Sequence, residues 1–145
     1  EISLGLVGSE MCIRDRYGIH TEEQLKAMYR LKTGGMISGA AELGCVAADM
    51  PADMRAQAVE FADRLGLAFQ IRDDMLDVVG DQQVFGKPIG SDKEEGKITY
   101  VDVDGLEGCA RAVESCTQKA KDAVAHWPEH DFLFALADQL VDRKK

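Results

Sequence analysis

Apolar positions recur along this chain at helical spacing, and no stretch alternates apolar and polar residues as a half-buried strand would. A first helix is predicted to open at Thr21, because Thr21-Glu22-Glu23-Gln24 has the form of a capping box. The hydroxyl accepts from the third amide, the Gln reaches back, and two acids sit where the helix dipole favours them. The apolar stripe runs through Leu25, Met28 and Leu31, then meets Lys32-Thr33-Gly34-Gly35. Two adjacent glycines inside a helical pattern cost about 1 kcal/mol each relative to alanine, so a kink or a close approach is expected there. The spacing resumes through Ile37, Ala40, Leu43 and Val46 and stops near Asp49.

Pro51 suits the first turn of a second, long helix, with Asp49 or Met50 at its cap. That helix should reach about Val79 and bury Phe61, Leu65, Ala68, Phe69, Met75, Leu76 and Val79. Residues 80–99 hold five glycines or prolines among many charges, which predicts a long loop. Loops longer than about 12–15 residues are often functional lids. A third helix is expected over 106–125, ended by Trp127-Pro128, and a fourth over 131–141, followed by the basic Arg143-Lys144-Lys145. The predicted fold class is all-α. Residues 1–18 show no period and no cap, and are set apart from a domain over 19–145. Within them, 8–17 resembles translated sequencing-adapter read-through, the alternative being a disordered tail.

Length and composition narrow the picture. At 145 residues the chain suits one domain. Its 17 basic and 26 acidic residues give a net charge of −9, the wrong sign for a nucleic-acid partner. No apolar run approaches a membrane span. The four cysteines (Cys12, Cys45, Cys109, Cys116) form no CxxC pair and suit a reducing, cytoplasmic setting. Cys109 and Cys116 are expected to be core thiols. His20, His126 and His130 lack metal-like spacing and are expected to be surface or satisfied residues.

The chemistry concentrates on the long helix. Taking Gln70 as zero and about 100° per residue, Asp73 falls at ~300°, Asp74 at ~40°, Asp77 at ~340° and Asp81 at ~20°. Four carboxylates thus crowd one face, with Gly66 beside them. Like charges at i,i+4 destabilise a helix by roughly 0.2–0.5 kcal/mol per pair unless a cation intervenes. A charge run is usually a solvated face, but Phe69, Ile71, Met75, Leu76, Val78 and Val79 make these flanks apolar. Ionised carboxylates in such a setting need a counter-charge, and magnesium prefers this kind of oxygen ligand. The spacing is not that of a calcium loop. Lys32-Thr33 at the expected kink, Lys87 beside Gly86 and Lys97 beside Gly96 suit phosphate oxygens as a group, though each alone reads as surface lysine. Acids on one element and lysines on two others suggest a metal-bridged diphosphate.

Five ordered motifs then carry a family likeness: Lys32-Thr33-Gly34, Phe69-Gln70-x-x-Asp73-Asp74-x-x-Asp77-x-x-Gly80-Asp81, Gly86-Lys87, Gly90-x-Asp92 and Gly96-Lys97-x-Thr99-Tyr100. Over Thr21 to the carboxyl end, the chain resembles the trans-isoprenyl diphosphate synthases, nearest the bacterial farnesyl and geranylgeranyl enzymes. The resemblance implies part of an all-α isoprenoid synthase bundle and a condensation of an allylic diphosphate with isopentenyl diphosphate, aided by Mg²⁺. It implies that Asp73, Asp74 and Asp77 form the metal-binding group. Asp73 and Asp77 would serve the metal directly or through water, and Asp74 would anchor neighbouring basic residues. Lys32, Lys87 and Lys97 would grip the allylic diphosphate, Thr33 and Gln70 would line the carbocation, and Arg143 with its neighbours would fold over the site.

The family's first Asp-rich motif, its adjoining arginines and its Gly-Gly-Gln-x-x-Asp segment have no counterpart here, which leaves most of the isopentenyl diphosphate site unmatched. Val101 stands where the family commonly has proline, leaving the start of the next helix open. The expectation is therefore the carboxyl-terminal half of a synthase, inactive alone, whose full-length parent is a homodimer. The competing expectation is a non-catalytic helical partner of a full-length synthase. Another diphosphate-ionising enzyme, such as a terpene cyclase, fits Lys32-Thr33 and Gly96-Lys97-x-Thr99 less well.

Overall fold

The computed structural model describes residues 21–79 and 98–142, and all regular structure among them is helical. The proposed tail 1–18, His20, Cys12, Asp81, Lys87, Lys97, Arg143 and most of the expected 80–99 loop lie outside the described residues. Helix α1 (Glu22–Tyr29) starts where predicted: Thr21 accepts from the Gln24 amide, and the Gln24 side chain accepts from the Thr21 amide.

Beyond Tyr29, where a kink or a close approach is expected, the close approach is the outcome: the Gly34 Cα lies against Gly66 of the long helix. Residues Arg30–Gly34 form a π-helical stretch in which the Gly35 amide bonds to the Arg30 carbonyl, five residues back. Gly34 and Gly35 keep ordinary helical angles (φ −55° and −59°), so the chain absorbs an extra residue without bending at the glycines. Helix α2 (Gly35–Ala47) follows directly. It ends in a Schellman motif, with Met50 N–H on Cys45 O, Asp49 N–H on Val46 O, and Asp49 itself at φ 51°.

Helix α3 (Ala52–Val79) has the predicted length, but Pro51 stands just ahead of its first turn, its carbonyl accepting from the Arg55 amide at 3.0 Å. Phe61, Leu65, Ala68, Met75 and Leu76 are buried as expected, whereas Phe69 is half-buried and Val79 is 57% exposed. Val79 lies at the end of the helix, where no described neighbour covers it.

Helix α4 (Tyr100–Val124) begins earlier than the predicted Leu106. Thr99 caps it and Asp102 returns the bond to the Thr99 amide at 2.9 Å. Gly105 then breaks the helix at φ 67°, ψ 174°, a conformation open essentially to glycine alone. Helix α5 (Asp131–Val141) matches its predicted span.

Helices α3 and α4 run antiparallel and share two cores. Leu25, Met28 and Tyr29 of α1 meet Ile71 and Met75 of α3 and Cys109 and Val113 of α4. Phe61 and Leu65 meet Ala120 and Val124, closed by Ala137 of α5. Cys45, Cys109 and Cys116 are free thiols, and burial pushes Cys109 up to about 11. His126 bonds Gln57 and His130 lies 2.7 Å from the Trp127 carbonyl, so both are satisfied.

Candidate active site

Side chains four apart on a helix form a ridge. On α3, Gly66, Gln70 and Asp74 make one such ridge, and residues 29–34 are anchored to it at both ends. At one end the Gly34 Cα lies 3.1 Å from where a Gly66 Cβ would stand. At the other the Tyr29 hydroxyl donates to Asp74 Oδ2. Eight helical residues separate these anchors, about 12 Å at ~1.5 Å per residue. The π turn bearing Lys32 and Thr33 therefore spans the stretch of α3 that carries Gln70. Gln70 is only 4% exposed, while Lys32 and Thr33 are half-buried. Below the glycine contact, Ser38 donates to Asp63, and Arg30 approaches the same carboxylate at 3.7 Å.

Asp73 and Asp77 form the neighbouring ridge. Asp73 is exposed and Asp77 half-buried. Among the described residues no group of three His, Cys, Asp or Glu side chains converges as a metal cage. Two carboxylates one turn apart still fit Mg²⁺, which is usually held by one or two carboxylates, with water and substrate phosphate completing its shell.

Asp74 is placed differently from its neighbours on the helical wheel. It is 8% exposed, and its Oδ2 accepts from the Tyr29 hydroxyl and, at 2.6 Å, from the Tyr100 amide. Tyr100 is the first residue of α4, where a carboxylate meets unpaired amides and the positive end of the helix dipole. The Tyr100 hydroxyl donates to Glu22 at 2.6 Å, and Glu22 pairs with Lys26. The Lys26 and Tyr100 bonds hold Glu22 below its ordinary range, and the Glu22 bond raises Lys26. Burial, then the bond to Glu22, pushes Tyr100 up to about 12.

The sequence profile described as Polyprenyl synthetase matches residues 8–130. This chain belongs to the polyprenyl synthetase family. It is 35% identical to farnesyl diphosphate synthase of Escherichia coli, across 97% of this chain and 49% of the relative. It is 44% identical to a short chain isoprenyl diphosphate synthase of Methanocaldococcus jannaschii, across 60% of this chain and 27% of the relative. Among solved structures it resembles a decaprenyl diphosphate synthase from Rhodobacter capsulatus, with a TM-score of 0.82 at 24% identity over 99% of this chain and 57% of that one. A geranylgeranyl pyrophosphate synthetase from Pyrococcus horikoshii gives 0.82 at 22% identity over 97% and 55%. These likenesses establish the all-α isoprenoid synthase fold, and the chain spans about half the length of the curated relatives it matches across most of its own length.

In this polyprenyl synthetase chain the structure brings Lys32, Thr33, Gln70, Asp73, Asp74 and Asp77 onto one helix face and the turn laid along it. Lys87, Lys97 and Arg143 lie outside the described residues. Sequence reasoning passed over Tyr29 and named Tyr100 only as the end of a motif, with no role of its own. A signal existed for Tyr29, which occupies the apolar stripe of α1 and carries a hydroxyl that needs a partner once buried. No helix among the described residues is long and apolar enough to cross a membrane.

Proposed function

We propose that this chain supplies the carboxyl-terminal half of a short-chain trans-prenyltransferase that joins an allylic diphosphate to isopentenyl diphosphate in isoprenoid biosynthesis. The observation that carries the reading is the double anchoring of the Lys32-Thr33 turn along the part of α3 that holds Gln70 and leads to Asp73 and Asp77. Lys32, with Lys87 and Lys97, binds the allylic diphosphate. Thr33 and Gln70 turn oxygen dipoles toward the carbon that becomes cationic as its bond to diphosphate breaks. The isopentenyl double bond forms the new carbon–carbon bond, and the proton then lost passes to the released diphosphate. Asp73 and Asp77 would hold Mg²⁺, with Asp74 beside them in the same acidic group. Bound there, the metal supplies positive charge that eases departure of the diphosphate. Arg143 is assigned to binding the diphosphate with the lysines, and the full-length parent works as a cytoplasmic homodimer.

Calorimetric titration of the chain with a bisphosphonate and Mg²⁺ tests this reading. The expected result is a saturable heat that disappears in the Asp73→Asn/Asp77→Asn double variant; identical heats from both proteins overturn it. Because most of the isopentenyl diphosphate site is unmatched here, the chain alone is expected to form no product from geranyl and isopentenyl diphosphates with Mg²⁺. Measurable product would remove the claim that a second half is required.

A further inference from the structure

We propose that the groove between α1, α3 and α4 is a second binding site, which takes a phosphorylated hydrocarbon without metal. The hydrocarbon lies on an apolar floor and the phosphate meets basic side chains at the rim. The groove encloses about 660 Å³, within the ordinary range for small-molecule sites. Ile71 is fully buried beneath it, and Leu67 and Ala112 are half-buried against the same core. Leu31, 50% exposed, adds further apolar surface. On the helical wheel of α3, Ile71 and Arg64 fall at about 100° and 120°, and Asp73 at about 300°. The groove therefore opens on the opposite side of α3 from Asp73.

The rim is basic in a protein whose net charge is −9. Lys26 and Arg30 reach it from α1, Arg64 from α3 and Lys119 from α4. The lining acids are Glu23 and Asp63, and Asp63 already accepts from Ser38 and faces Arg30 at 3.7 Å. Lys26 is held by Glu22, whereas Arg64 reaches Glu60 at 3.6 Å, a surface i,i+4 contact that a ligand can displace. The arrangement of these charges shows at Cys116, a half-buried thiol in the groove wall. Burial raises this thiol, and Arg64, Lys119 and Lys26 each act on it in the opposite sense. Cations from three helices thus converge on one point beside an apolar floor. An anion that meets them directly relieves their repulsion, and guanidinium with ammonium matches phosphate oxygens. An apolar body alone leaves the cations unpaired, and a bare inorganic anion leaves the floor wet. A molecule with both parts uses the whole groove. The reaction proposed above handles molecules of this class, but binding here needs neither its acidic residues nor its metal.

Hexyl phosphate, kept below its micelle concentration, is titrated into the full chain by calorimetry in EDTA. The expected result is saturable binding about tenfold tighter than that of inorganic phosphate or hexanol. Arg64→Gln/Lys119→Gln should weaken it about tenfold, while Asp73→Asn/Asp77→Asn and the exposed Arg111→Gln leave it within about twofold. Arg64 and Lys119 both reach solvent, so the double variant should keep the wild-type melting temperature. A second measurement needs no variant. Saturating hexyl phosphate should slow iodoacetamide alkylation of Cys116, read by peptide mass spectrometry, about tenfold and leave the buried Cys45 unchanged. Heat without protection of Cys116, or heat unaltered by the Arg64 and Lys119 substitutions, places the ligand elsewhere and overturns the proposal. Absence of saturable binding overturns it as well. So does sedimentation with phosphatidic acid vesicles unaccompanied by hexyl phosphate binding, which makes the basic rim a membrane contact. Failure of the Mg²⁺-dependent bisphosphonate titration with metal-free hexyl phosphate binding intact refutes the proposed function alone, and the reverse refutes the groove alone.

Discussion

A Cβ built on Gly66 would stand 3.1 Å from the Cα of Gly34, so the π turn and α3 touch backbone to backbone. Relief is restricted, because the turn is held on one side by Tyr29 on Asp74 and on the other by Ser38 on Asp63. Gly66→Ala is therefore expected to destabilise the chain by about 1–3 kcal/mol, the usual cost of overpacking a tight contact. Gly44, in α2 with nothing within 4 Å of its Cβ position, is the control. Gly44→Ala should stabilise by about 0.5–1 kcal/mol through helix propensity. Chemical denaturation of the two variants checks both signs.

Tyr100 sets an alkaline limit on stability. Its phenol is held near 12 in the fold against an ordinary 10.0, chiefly by burial and then by Glu22. Below pH 10 folded and unfolded chains both keep this proton, and its contribution is complete. Between about pH 10 and 12 the unfolded chain releases the proton and the folded one retains it, so stability falls as pH rises. Tyr100→Phe keeps the amide bond to Asp74 but loses this titration. The difference in melting temperature between wild type and Tyr100→Phe should shrink across that window. A constant difference from pH 8 to 12 overturns the argument; Cys109, raised to about 11, titrates in both proteins and cancels.

Glu22 predicts the acid counterpart. Its carboxyl is lowered by the bonds from Lys26 and Tyr100, so it stabilises the fold above the ordinary 4.5 and loses that contribution as pH falls through its lowered value. The loss in wild type should be absent from Glu22→Gln, measured by melting curves between pH 6 and 2.

Local signals in the sequence were sufficient where local chemistry decides the outcome. The Thr21 capping box, the end of α2 at Asp49 and the span of α5 depend on a few neighbouring residues, and each stands as expected. The paired glycines announced a close approach, which Gly34 makes with Gly66. They did not announce the π turn, because an i→i+5 bond leaves no compositional mark. The helical wheel grouped Asp73, Asp74 and Asp77 within one arc. The boundary of the buried region crosses that arc, and it is drawn by Tyr29 and Tyr100 from distant parts of the chain. The early start of α4 was hidden because Thr99 pairs with Asp102, not with the Glu or Gln of the usual box.

Gly105 explains why the predicted helix began at Leu106. Its φ of 67° and ψ of 174° divide a capped first turn from the rest of α4. Alanine there must adopt a backbone region that costs of order 1–3 kcal/mol, although nothing lies within 4 Å of its Cβ position. Gly105→Ala is expected to destabilise by about that amount, or to straighten α4 and pull Tyr100 from Asp74. Thermal melts combined with hydrogen exchange at the Tyr100 amide distinguish the two results, and an unchanged melt with unchanged exchange removes the strain argument.

The apolar stripe of α2 leads to a prediction about association. Met36, Leu43 and Val46 share one side of that helix and are 76%, 71% and 52% exposed among the described residues. Contiguous apolar surface of this kind favours contact with other molecules. At rising concentration the chain is expected to elute above the 15.9 kDa of a monomer. Met36→Lys with Leu43→Lys should return it toward monomer. Both side chains already face solvent, so the double variant should melt within the small range typical of surface substitutions, about ±0.5 kcal/mol per site. Association that persists in the double variant would place the contact elsewhere, on Phe132 or the exposed Val78 and Val79 at the end of α3.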